Sequence, residues 1–249
     1  MQALADPERI EPARSFDRAA AEYEQARPGY PEGVLDLLPL GTDATVLDLG
    51  AGTGKLTRLL TTRFARVIAV EPLDGMRAIL GQVVPSAESL AGTAEAIPLP
   101  DASVDAVFAG QAFHWFSNDE AVAEIARVLR PGGMLCLVWN EPRGVSPLPA
   151  AYAEYFDELH APLLAAVQSG PALSEVLGRG PFGELLEAVV DHEQPQNREG
   201  VLAFARSMSW IAHRPAEERE HIMRKLDDLL SAGPFTFSLA ANVTWTMRA

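Results

Sequence analysis

Three glycines at alternate positions, Gly50, Gly52 and Gly54, follow a short apolar run that carries a single acid, Asp48. Lacking Cβ atoms, they let the backbone turn sharply and lie directly against a ligand, and the helix expected after them offers free N–H groups to an anion. Roughly 20 residues further on, the run Val67-Ile68-Ala69-Val70 ends at Glu71, where a nucleotide-binding α/β unit places an acid on ribose hydroxyls. A carboxylate suits a vicinal diol because it accepts two O–H bonds, although Glu71 could equally cap the following helix. Glu95 could accept from an exocyclic amino group or be a solvated loop charge. His114 and Trp115 could supply a base and an aromatic wall for a second reactant, or belong to the core behind the strand before them. The set predicts a site for a nucleotide-like cofactor.

The loop's second half narrows the ligand. A dinucleotide fingerprint reads G-x-G-x-x-G/A, whereas here G-x-G-x-G is followed by Lys55 and Leu56. Lys55 is no P-loop lysine, since the G-x-x-x-x-G-K-S/T string is missing. Asp48-Leu49-Gly50-Ala51-Gly52-Thr53-Gly54 resembles motif I of the class I S-adenosylmethionine-dependent methyltransferases. Further matches follow in order. Glu71-Pro72-Leu73 resembles the acid after strand 2 with its adenine-packing neighbours, and Gly92 to Leu99, with Ala94 and Glu95, resembles the adenine-edge loop. Asp105 to Ala109 resembles strand 4, and Val128 to Leu135 the corner before strand 5. The stretches Phe16 to Pro31 and Gln111 to Phe116 are similar to the small-molecule branch labelled methyltransferase type 11, including trans-aconitate methyltransferase-like proteins.

The resemblance implies S-adenosyl-L-methionine as cofactor, held by Asp48, Gly50, Ala51, Gly52, Gly54, Glu71, Pro72, Ala94, Glu95 and Gln111. Asp48 would orient the loop and receive the cofactor ammonium. It implies methyl transfer to a small-molecule acceptor, with Tyr23, Arg27, Tyr30 and Trp115 on the acceptor side and His114 as the candidate base. Arg27 could pair with a carboxylate or be an ordinary helix-end arginine. A base is needed only for an acceptor that arrives protonated, since a carboxylate needs none. Two rival readings are an NAD(P)-dependent oxidoreductase and an S-adenosylmethionine-binding protein without transferase activity.

The elements that must position these groups alternate strand and helix, so the expected fold is a Rossmann-like, doubly wound α/β sheet of seven strands. Strands are expected at Thr45 to Leu49, Arg66 to Val70, Ala87 to Ala91, Val104 to Ala109, Met134 to Asn140 and Ala188 to Glu193. The period-two run from Phe235 to Met247 is the antiparallel last strand of the class I sheet. Within one domain over residues 1–249, an N-terminal helical arm covers 15–39 and a helical insertion 142–180. The arm's second helix, opened by Pro31, carries Val34, Leu35, Leu37 and Leu38 toward the core. Pro142, Pro147 and Pro149 mark a linker into the insertion, where Phe156, Leu159, Leu163, Leu164 and Val167 share a helix face. Asp74 is expected to cap its helix, and Ser117 with Glu120 to form a capping box.

At 249 residues and a formal charge of −14, the chain has ample core but opposes phosphate backbones and anionic membranes. Nucleic acid and membrane are therefore excluded as partners; with no basic-then-apolar segment near the start and no apolar run approaching the ~18 residues of a membrane span, a cytoplasmic location is expected. Arg9, Arg14 and Arg18 read as a solvated helix face. The single cysteine, Cys136, allows no internal disulfide and reads as a buried strand residue. His160, His192, His213 and His221 have no metal-ligand spacing, and no G-x-S-x-G elbow or N/D-P-P-Y/F string is present.

Overall fold

The computed structural model describes residues 24, 26–167, 173–212 and 214–249. Arg9, Arg14, Arg18, Tyr23, His213 and most of the first arm helix lie outside them, as does part of the insertion. In chain order the described elements are α1 (Gly33–Asp36), β1 (Thr45–Leu49), α2 (Lys55–Arg63), β2 (Arg66–Val70), α3 (Asp74–Val83), β3 (Glu88–Leu90), β4 (Val104–Gly110), α4 (Asp119–Val128) and β5 (Leu129–Ser146). They continue with α5 (Ala150–Val167), α6 (Leu173–Leu177), β6 (Leu186–Gln196), α7 (Arg198–Arg206), α8 (Ser209–Ala212), α9 (Ala216–Leu229) and β7 (Phe235–Met247). The strands form one sheet in the order β3-β2-β1-β4-β5-β7-β6. The expected doubly wound α/β fold is what is found. β1 runs parallel to β2 and β4, and β4 parallel to β5.

The chain divides into two compact units. One holds Pro28–Glu141, Pro171–His192 and Ala240–Ala249; the other holds Pro142–Gly170, Glu193–Leu239 and the described residues up to Arg27. In the first, strand alternation sorts side chains to opposite faces of the sheet. Leu47, Leu49, Ile68, Val70 and Val107 pack with Val122 and Ile125 of α4. Val46, Val67, Ala106 and Phe108 pack with Leu56 and Leu60 of α2 and with Leu35 of α1. Each such side chain, buried on both sides, contributes about 1.5–3 kcal/mol. Asp48 lies on the second of these faces, among apolar groups. In the other unit Tyr152, Phe204, Ile222, Leu226 and Phe237 form the core, with Phe156 and Leu159 against it.

Several boundaries differ from expectation for identifiable reasons. β5 begins at Leu129 because the Pro131-Gly132-Gly133 corner is itself paired: Gly132 N–H donates to Arg248 O and Arg248 N–H to Gly133 O. It also continues through Pro142 to Ser146, where a linker is expected, because proline's fixed φ is compatible with extended backbone. β6 is likewise longer than Ala188 to Glu193. α1 is a single turn, so Leu37 falls past its end and is exposed while Leu38 remains buried. The cap of α4 is Asn118: its side-chain oxygen accepts the N–H of Ala121 at 2.8 Å, the three-residue reach that Ser117, one position too early, does not have. Asp74 does not cap α3 and pairs with Arg77 instead.

Candidate functional site

β1 delivers Asp48 to the carboxyl edge of the sheet, where the chain leaves as the glycine loop. Gly50, Gly52 and Gly54 have φ values of +69, +58 and +92°, a region that side chains with a Cβ rarely occupy. The conformation of each fits glycine alone without strain. A Cβ on Gly50 would sit 2.9 Å from Ala112 Cβ, so the loop abuts the exit of β4; a Cβ on Gly52 would meet no atom of the described residues within 4 Å. The side of the loop at Gly52 is open.

Asp48 is 1% exposed, and its Oδ2 accepts a 2.6 Å hydrogen bond from Thr57 Oγ1 in the first turns of α2. Its Oδ1 has no hydrogen-bond partner among the described residues, and neither has the buried hydroxyl of Thr53 in the loop. Burial is the main cause that raises the Asp48 pKa to about 7, the nearby Glu71 carboxylate adds to it, and the Thr57 hydroxyl opposes it. An orphaned buried oxygen costs free energy unless a ligand donates to it. A cation-bearing ligand at this edge would complete Asp48.

Glu71 closes the loop from the β2 side. Its Oε2 accepts the Gly52 N–H at 2.8 Å and its Oε1 the Leu73 N–H at 2.9 Å. Glu71 thus ties the glycine loop to the segment that leads into α3. Pro72 beside it is exposed. Ala94 is buried, and Glu95 Oε1 accepts from Asn118 Nδ2 at 2.9 Å, so the α4 cap also steers the Glu95 carboxylate.

After β4, Gln111 turns with φ +55°, and its side-chain amide donates to Asn140 O at 2.8 Å. His114 and Trp115 lie on a single 3₁₀ turn, both exposed, with ring centroids 4.9 Å apart. Neither is a core residue. Tyr30 reaches the same strand end, since a Cβ on Gly110 would lie 2.7 Å from its hydroxyl. Arg27, in the other unit, donates from Nη2 to Ser207 O at 2.8 Å and lies over the Phe204 ring at 5.6 Å. Sequence reasoning missed Thr53, Thr57, Asn118 and Asn140. For Thr57 the signal was its place nine residues after Asp48, in the first turns of the helix that packs on the same face. The side-chain partnerships of Asn118 and Asn140 join segments 23 and 111 residues apart, which no local pattern marks.

A family profile described as a methyltransferase domain matches residues 47–137, the segment that contains the loop, Glu71, Glu95 and β4. An uncharacterised methyltransferase of Schizosaccharomyces pombe is 34% identical over 226 residues, covering 89% of each chain. This chain belongs to the S-adenosylmethionine-dependent methyltransferases. An uncharacterised methyltransferase of Mycobacterium tuberculosis is 52% identical over 126 residues, about half of either chain (51% and 52%). Among solved structures, a protein assigned as a type II methyltransferase from Anaeromyxobacter dehalogenans superposes with a TM-score of 0.63 at 28% identity, covering 89% of this chain and 97% of that one. The methyltransferase reading displaces the nicotinamide alternative. Among the described residues no helix is long and apolar enough to cross a membrane, and no cluster of metal-ligating side chains occurs.

Proposed function

We propose that this methyltransferase acts on a small-molecule acceptor, with its cofactor seated along the edge formed by the glycine loop, Glu71, the Ala94-Glu95 turn and Gln111. The observation that carries this reading is the pair of buried oxygens, on Asp48 and on Thr53 of the glycine loop, that have no partner among the described residues, together with the space that a Cβ on Gly52 would enter without meeting a described residue within 4 Å. Asp48 receives the cofactor ammonium, Glu71 the ribose hydroxyls, and Gly50 to Gly54 the chain between them. Pro72 and Ala94 border the adenine, and Glu95 accepts from its amino group. When bound, S-adenosylmethionine supplies a methyl group on a positively charged sulfur that departs as a neutral sulfide. The protein's part is alignment and exclusion of water, worth on the order of 7–11 kcal/mol for well-oriented reactants.

On the acceptor side, the exposed His114 and Trp115 border the mouth, with Tyr30 at the end of the same strand; Tyr23 and Arg27 are candidate acceptor contacts on the resemblance alone, Tyr23 lying outside the described residues. The net charge of −14 supports a small molecule over nucleic acid. Similarity to the trans-aconitate methyltransferase-like branch supports an acceptor of metabolite size.

S-adenosylhomocysteine is expected to raise the melting temperature by mass action, while NAD and NADP at matched concentration leave it unchanged. Stabilisation by a nicotinamide cofactor alone would sink the proposal. Glu71→Ala is expected to weaken S-adenosylhomocysteine by about 1.5–3 kcal/mol, the range for hydrogen bonds to a charged group, because two loop amides also lose their acceptor. Calorimetry showing wild-type affinity would move the site elsewhere. His114→Gln should keep cofactor affinity and thermal stability, as an exposed residue does, and raise the acceptor KM by roughly tenfold, the equivalent of about 1.4 kcal/mol. Unchanged KM and kcat would remove His114 from the acceptor mouth.

A further inference from the structure

Asn140 is where three segments of one unit meet. Its Nδ2 donates to Gly29 O at 2.7 Å, its backbone carbonyl accepts from Gln111 Nε2 at 2.8 Å, and its Oδ1 lies 3.0 Å from His192 Nε2. A backbone carbonyl only accepts, so the bond to Gly29 fixes the amide with Nδ2 toward Gly29 and Oδ1 toward His192. Oδ1 also only accepts. The proton of the His192–Asn140 bond therefore sits on Nε2, and the neutral ring carries its lone pair on Nδ1. Burial disfavours the imidazolium and pulls the His192 pKa below the ordinary histidine value, against a smaller opposing effect of the adjacent Asp191 carboxylate. Asn140, which faces the ring from β5, is uncharged.

Asn140, which holds this imidazole, is itself tied to the segment that leaves β4 at the cofactor edge. Gln111, which holds Asn140, directly follows β4; Ala112 abuts Gly50; and the Tyr30 hydroxyl lies against Gly110. We propose that His192, in place of the sequence candidate His114, is the proton acceptor for a hydroxyl-bearing methyl acceptor, with Asn140 as the positioning residue that sets its tautomer. The proposal rests on the methyltransferase reading and narrows its substrate class to alcohols and phenols. As the acceptor oxygen forms its bond to the methyl carbon, the carbon–sulfur bond breaks with its electron pair going to sulfur. The O–H electrons stay on oxygen, and the proton passes to Nδ1 and then to solvent. A carboxylate acceptor has no proton to give, and the Nδ1 lone pair repels it.

The test is nitrogen NMR of the histidine-labelled full chain, with and without S-adenosylhomocysteine, titrated with phenol and with benzoate as probes. His192 should show a protonated Nε2 and a bare Nδ1, titrate below the ordinary histidine range, and lose its tautomer preference in Asn140→Leu. Phenol should shift the Nδ1 signal saturably and benzoate should not. His192→Gln, which can still donate to Asn140, should keep S-adenosylhomocysteine affinity and lose roughly fivefold to tenfold in phenol affinity, as for one neutral hydrogen bond. A proton on Nδ1, a signal that phenol leaves unmoved, or one that benzoate moves instead overturns the proposal. Failure of S-adenosylhomocysteine to bind overturns the methyltransferase reading separately, because the tautomer and phenol signals are also read without it.

Discussion

Gly52→Val is expected to weaken S-adenosylhomocysteine binding by at least roughly 100-fold, about 3 kcal/mol, while the protein stays folded. At φ +58° a β-branched residue carries strain of about 1–3 kcal/mol, yet among the described residues no atom lies within 4 Å of the added Cβ, so the side chain meets none of them. In the proposed site the space around it belongs to the ligand. Gly132→Val is the matched control, because Gly132 also has positive φ (+72°) and also faces nothing within 4 Å, but sits at the β5 corner. Its melting temperature should fall similarly and its cofactor affinity should not. Equal loss of affinity in the two variants would show that general strain, and not occlusion, is responsible.

The second large effect is a proton linkage at Asp48. With its pKa raised to about 7 in the free protein, Asp48 is protonated in mildly acid solution and must release that proton to receive a cationic ligand. Cofactor affinity should therefore fall by up to about tenfold per pH unit as pH drops below about 7, and level off above it. The stability of the free protein runs the other way. A carboxyl whose folded pKa lies above its unfolded value contributes stability that is full below about pH 4 and is lost as pH rises through about 7. Up to about 4 kcal/mol is at stake. Asp48→Asn should remove both dependences, raise the melting temperature of the free protein above neutrality, and cut cofactor affinity at alkaline pH by roughly 10–100-fold, the range for a charged hydrogen bond. Calorimetry and melting curves across that pH range decide it; a wild-type affinity flat in pH would contradict the linkage.

Much of this site was legible in the sequence because its parts are local. Alternate glycines need no tertiary information to announce a turn, and Glu71 follows directly from where the second strand ends. What was not legible depends on segments far apart in sequence. Asn118 serves both α4 and Glu95, which reassigns the cap from Ser117. β5 begins ahead of its apolar core because Arg248, at the chain's far end, exchanges hydrogen bonds with Gly132 and Gly133. His192 was set aside for want of ligand spacing, and its meaning lies in Asn140, 52 residues earlier. Leu37 shows the converse, an apolar residue expected inside that a one-turn helix leaves exposed.

The most direct measurement is a backbone amide NMR titration of the full chain with S-adenosylhomocysteine. The largest shifts should fall on Gly50 to Gly54, on Glu71 and Leu73, whose amides and carboxylate are interlocked, and on Ala94 to Ala96. Saturating shifts confined to other elements, or none at all in a sample that remains folded, would contradict the cofactor site.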